Sequence, residues 1–209
     1  MDSATLWIFV VACIALAATP GPDMLLVAAR SVEQGPKAGF ATLAGVQAGV
    51  YCHALAAALG LAQIFVVYPV AYDAVRYAGA AYLLFVAWQT LRAPTALALD
   101  AVRPHRATPW QVFRHGLWNN LLNPKMALFV LALFPQFVDP AGPSIVLQMM
   151  VLATILNAIG VLVNGVVILA ASRAGEALAR PGRFSTVMRY CLAGIFAGLA
   201  LRLIVADRP

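Results

Sequence analysis

The stretch ATPGPDMLLV, residues 18–27, sets two prolines, a glycine and an aspartate inside an apolar run that extends from Ala4 to Ala29. Pro20 and Pro22 supply no backbone N–H and clash with preceding carbonyls, so a helix bends or breaks there. Gly21 relaxes the backbone further. Freed peptide groups cost several kcal/mol each in lipid, and are tolerated where protein or a watery cavity meets them. A charge at mid-membrane, such as that of Asp23, costs about 2.5–3.5 kcal/mol on insertion scales. The break therefore points to a site inside a membrane protein.

Composition supports that class. The chain has 209 residues, 63% of them hydrophobic and 11% charged, with a mean hydropathy of +0.86. Soluble domains average roughly 45–50% apolar and about 25% charged, so this chain lacks the polar surface to cover a water-facing globule. Long apolar runs joined by short loops favour helices over β-barrel strands, which alternate over about 10 residues. A span needs about 20 apolar residues, and six are expected, over 4–29, 39–67, 74–91, 112–135, 144–171 and 187–205. The fold expected is all-α, a polytopic membrane protein forming one transmembrane domain over 1–209. Its halves cover 1–92 and 110–209, on either side of a proline-bearing loop at 93–109. The small-x-small triplet at 15–17 resembles a signal cleavage site, but Asp2 and no basic residue precedes it and the run is too long, so it reads as a span.

Ten basic residues fall in the first, third and fifth loops, among them Arg30, Lys37, Arg103, Arg106 and Arg180. Three, Arg76, Arg202 and Arg208, fall on the other side. The positive-inside rule puts the first group in the cytoplasm and both termini outside, in the periplasm. The same bias accounts for the net charge of +6. Scattered loop arginines read as topology signals and contacts to membrane lipids, not as a nucleic-acid surface.

A second break echoes the first. PDMLLV starts at Pro22 and PKMALF at Pro124, each in the first span of a three-span half. Three is odd, so the second half lies upside down: an inverted 3+3 repeat with helices 1 and 4 broken. Asp23 and Lys125 hold equivalent places with opposite charges. Face to face, they would either neutralise each other or grip a zwitterion; the plain alternative is that each sits near a span end and snorkels.

At this point TPGPDMLLVAARSVEQGPKAG (19–39) resembles the signature of the lysine exporter (LysE/RhtB) family of amino-acid exporters. GVQAGVYCHALAAALGL (45–61), AGAAYLLFVAWQTLR (78–92) and FRHGLWNNLLNPKMALFVLALFPQFVDP (113–140) are similar to that family's second, third and fourth spans. The resemblance implies a bacterial inner-membrane protein exporting amino acids or their derivatives, driven by the proton gradient. Its broken-helix motifs fall on Pro20, Gly21, Pro22 and Asp23, and on Asn123, Pro124 and Lys125. A zwitterionic cargo would sit between them, with its ammonium towards Asp23 and its carboxylate towards Lys125. Protonation of Asp23 from outside would weaken that grip and couple export to proton entry.

Other polar residues add candidates. Gly45, Gly49 and His53 recur every four residues and share one helix face. Such a glycine face admits a close neighbour, and turns His53 towards protein, either to relay protons or to hydrogen-bond a neighbour. Asn157, Gly160 and Asn164 line a face of the fifth span, where the two amides either bind cargo or join helices. Gln47 and Tyr51 lie opposite His53, and Tyr82 in the third span is a further lining candidate. Trp88 and Trp110 read as interfacial anchors, and Gly194 and Gly198 as a packing face. The small-residue faces also suit a homodimer.

Rival functions find less support. A membrane thiol–disulfide carrier needs paired thiols, whereas Cys13, Cys52 and Cys191 stand apart. An uncoupled channel would show flux that neither saturates nor responds to a proton gradient. A metal-ion cargo or metal cofactor lacks a ligand cluster, with His53, His105 and His115 scattered. No Walker or GxGxxG motif is present, so no nucleotide cofactor is expected.

Overall fold

The computed structural model describes residues 3–67 and 107–174, with isolated positions from 77 to 92 and from 190 to 204. The described residues are helical with no strand. Helix α1 covers Ser3–Ala18, α2 Pro22–Gln34, α3 Pro36–Val67, α4 Pro109–Leu121, α5 Pro124–Leu133 and α6 Ile145–Ala174. A single 3-10 turn, Phe134–Phe137, follows α5. Prolines stand at the first position of α2, α3, α4 and α5, where the missing N–H would be unpaired in any case.

Two of the described helices, α3 and α6, are long and apolar enough to cross a membrane. α1 and α2 add a third crossing if taken together, with a bend of 52° between them. Helical structure is interrupted at 19–21, between α1 and α2, and at 122–123, between α4 and α5. The third and sixth runs fall mainly outside the described residues; the positions seen in them are helical.

α3 is the central element, with α4 along one side and α6 and α2 along others. Its contact with α4 is backbone against backbone. A Cβ at Gly45 would fall on the carbonyl oxygen of Phe113, and one at Gly116 on that of Thr42. The glycine face read from the sequence is thus a helix-crossing point. At Gly194 and Gly198 an added Cβ meets no described atom within 4 Å. Between α2 and α3 the chain turns at Gly35, with φ +82, a conformation that side chains disfavour.

The main apolar core lies between α1, α3, α5 and α6. Phe9 of α1 packs edge-on against Phe134 and Phe137, at 5.5 and 4.9 Å between ring centres. Met149 and Leu152 of α6 close the cluster, fully buried. This packing fixes the end of α1 beside the start of α5, and so brings the two interruptions together.

Candidate functional site

Pro20 is where the site begins. In a continuous helix its N–H would bond to the carbonyl of Leu16; proline has none to give. Lys125 supplies the missing donor. Its Nζ donates to Leu16 O at 2.9 Å and to Thr19 O at 2.8 Å. Cations favour helix C-terminal ends for the same reason. Thr19 Oγ1 donates to Ala15 O at 2.7 Å and completes the last turn of α1.

Asp23 stands in the first turn of α2, where a carboxylate suits the helix dipole. Its partners come from the other interruption. Oδ1 accepts from Asn119 Nδ2 at 2.7 Å, and Oδ2 from Asn120 and Asn123 Nδ2 at 2.8 and 2.9 Å. Asn123 also caps α5, accepting from the Lys125 N–H at 3.0 Å. Asp23 and Lys125 are not ion-paired; among the described residues the ion pair is Arg30–Glu33. Each break is closed by the other break's motif.

Both charges nevertheless line one cavity, of about 60 Å³, with Gly21, Asn123, Asn164 and Gly160. Its walls are apolar: Met24, Leu43, Val46, Val50, Met126 and Leu156. Such a space has room for water. Asn164 Nδ2 donates back to Gly160 O at 2.9 Å, which leaves its Oδ1 buried without a partner. Asn120 Oδ1 is likewise buried and unpartnered, against Gly49.

The expected site residues separate accordingly. Gly21, Asp23, Asn123, Lys125 and Asn164 line the cavity. Pro20, Pro22 and Pro124 are exposed and set the breaks. Asn157 is occupied with α3: its Nδ2 donates to Gln47 O at 3.2 Å, while Gln47 Nε2 donates to Asn157 O at 2.9 Å. Tyr51 meets Thr154, oxygen to oxygen, at 3.1 Å. His53 Nε2 donates to Asn120 O at 3.1 Å and reaches Asp23 only through that asparagine. Tyr82 lies outside the described residues, as does Cys191. Cys13 and Cys52 are both free. Among the described residues no three His, Cys, Asp or Glu side chains gather for a metal.

Asn119 and Asn120 were not expected at the site. Their signal was the density of amides in WNNLLN, three asparagines within five positions of an apolar run.

Residues 14–207 match the model of the LysE type translocator family. The chain belongs to that family. A LysE-type translocator is a membrane transporter and not an enzyme, in keeping with the apolar helices. Curated relatives span almost the whole chain. An uncharacterized membrane protein of Pseudomonas aeruginosa is 31% identical over 207 residues, 96% of this chain and 94% of its own. The leucine efflux protein of Salmonella choleraesuis is 30% identical over 94% of this chain and 93% of its own. The homoserine/homoserine lactone efflux protein of Salmonella typhi is 32% identical over 62% of this chain and 63% of its own. No solved structure matches this LysE-type translocator.

Proposed function

We propose that the chain exports neutral amino acids or their derivatives across the bacterial inner membrane, driven by the proton gradient. The observation that carries this reading is the pair Asp23 and Lys125, unlike charges that line one cavity without a direct ion pair between them. Cargo ammonium meets Asp23 and the open Oδ1 of Asn164, which is an acceptor with no partner. Cargo carboxylate meets Lys125 and the start of α2, whose N-cap Gly21 brings no side-chain cap. The apolar wall selects an uncharged side chain. Names of the relatives, which refer to leucine and to homoserine and its lactone, agree with such cargo.

In the architecture proposed, helices 1 and 4 are broken spans of an inverted 3+3 repeat, with the basic loops in the cytoplasm and both termini in the periplasm. Cargo enters when the breaks separate. Protonation of Asp23 from the periplasm removes acceptor capacity from the three asparagines. That loosens α2 from α4 and α5 and ties opening to proton entry.

Reconstituted vesicles test this directly. Saturable leucine export, faster with an inward proton gradient, is expected, with lysine and glutamate carried poorly. In the Asp23→Asn variant the gradient response disappears. Gradient-driven transport that persists in that variant overturns the coupling; carriage of charged amino acids alone overturns the cargo.

A further inference from the structure

A second cavity, of about 350 Å³, opens between α2 and α4. Its size falls within the roughly 300–1,000 Å³ of ligand pockets. Arg30, Gln111, Arg114, His115 and Trp118 line it, and among the described residues no carboxylate does. Arg30 is already engaged: it donates to Glu33 Oε2 at 3.1 Å and to His115 Nδ1 at 3.0 Å. Because that ring nitrogen accepts, the imidazole carries its proton on Nε2 and offers it as a donor. Gln111 uses its oxygen on the Thr108 N–H at 2.8 Å, so its amide hydrogens are spare. Arg114 is exposed and has no partner among the described residues. The cavity is therefore rich in donors and one uncompensated guanidinium, which is the chemistry that recognises a phosphate.

What surrounds it identifies the source of that phosphate. Trp118, 55% exposed, forms its edge, and Leu122, 78% exposed, follows four residues on along the same helix face. An apolar track thus leads away from the donor cluster along the outside of the protein. We propose that this cavity binds the phosphate headgroup of an anionic phospholipid, with an acyl chain laid along Trp118 and Leu122. A bound phosphate would bridge Arg30 of α2 to Arg114 of α4, and so hold those helices together at the end opposite the contact between Asp23 and Asn120. A soluble anion gains nothing from the apolar track.

Native mass spectrometry of the full chain, delipidated in detergent and offered phosphatidylglycerol or phosphatidylcholine, reads this without reference to transport. Phosphatidylglycerol is expected to be retained about tenfold better. Arg114→Gln should lower it to the phosphatidylcholine level with unchanged helix content and thermal unfolding. Arg114→Lys should keep part of the preference, and Arg173→Gln, on an exposed arginine away from the cavity, all of it. Equal retention of the two lipids, or an undiminished preference in Arg114→Gln, overturns the proposal. Displacement of the lipid by millimolar inorganic phosphate or leucine also overturns it, assigning the cavity to a free anion or to cargo.

Discussion

Lys125 ends the first helix: its ammonium donates to the carbonyl oxygen of Thr19 at 2.8 Å, from a position 106 residues further along the chain. A second bond, to Leu16 O, takes the place of the N–H that Pro20 lacks. Asp23 reciprocates by accepting from the three asparagines around the other break. Two interruptions, each costly alone, are satisfied by exchange. The same exchange leaves both charges bordering the cavity.

Removing the ammonium should therefore damage fold and transport together. Lys125→Met leaves two carbonyls without donors and Asp23 without the nearby cation. A loss of about 2–4 kcal/mol is expected from charge-assisted bonds and an uncompensated carboxylate. Thermal unfolding in detergent measures the loss, and vesicle export should fall to background. Unchanged unfolding in Lys125→Met would remove the helix-ending role.

Asn120 is fully buried and donates to Asp23. Asn120→Ala leaves that carboxylate one donor short, at about 1–3 kcal/mol. Asn120→Asp sets a second carboxylate against the first and should abolish export. Asn119, more exposed, should tolerate alanine better. Stability and export should fall from Asn119→Ala through Asn120→Ala to Asn120→Asp. An Asn119→Ala variant worse than Asn120→Asp would contradict the assignment.

Much of this was legible in the sequence for local reasons. Proline and glycine break helices wherever they stand, so PGPD and NPK marked both interruptions. Apolar length marked α3 and α6. The partners were not legible, since Asp23 and Asn119 to Asn123 are about a hundred residues apart and helix faces do not reveal which ones meet. Matching positions and opposite signs suggested that Asp23 and Lys125 either neutralise each other or grip a zwitterion. Carbonyls stripped of donors by proline compete for the lysine instead, and its long stem reaches them. Gly45 was readable as a contact, but its counterpart Gly116, alone in α4, carried no repeat to announce it.

Those glycines supply a third prediction. Gly45→Ala and Gly116→Ala each push a methyl group into a carbonyl of the facing helix. Overpacking costs about 1–3 kcal/mol, and the displaced α4 carries Asn119 and Asn120 with it, so export should fall as well. Gly60 is the control, because an added Cβ there meets no described atom within 4 Å. Gly60→Ala should be neutral or stabilise by about 0.5–1 kcal/mol, through the helix preference of alanine. Unfolding temperatures of the three variants decide it; similar values for all would mean that the α3–α4 contact is looser than described.

His53 separates a proton relay from a structural donor. Its Nε2 donates to the carbonyl of Asn120, near the end of α4, as a second donor beside the Asn123 N–H. Glutamine offers an N–H at similar reach and does not titrate. If the bond is what matters, His53→Gln exports with a normal pH profile, whereas His53→Leu is destabilised by about 1–3 kcal/mol through the lost donor. If protons pass through the imidazole, His53→Gln loses its response to an inward proton gradient while remaining as stable as the parent. The bond geometry favours the first outcome, because no described contact joins the ring to Asp23 except by way of Asn120, whose amide cannot hand on a proton as an imidazole does. Export rates measured from pH 5.5 to 8.5, values chosen about the ordinary histidine range, would distinguish the two.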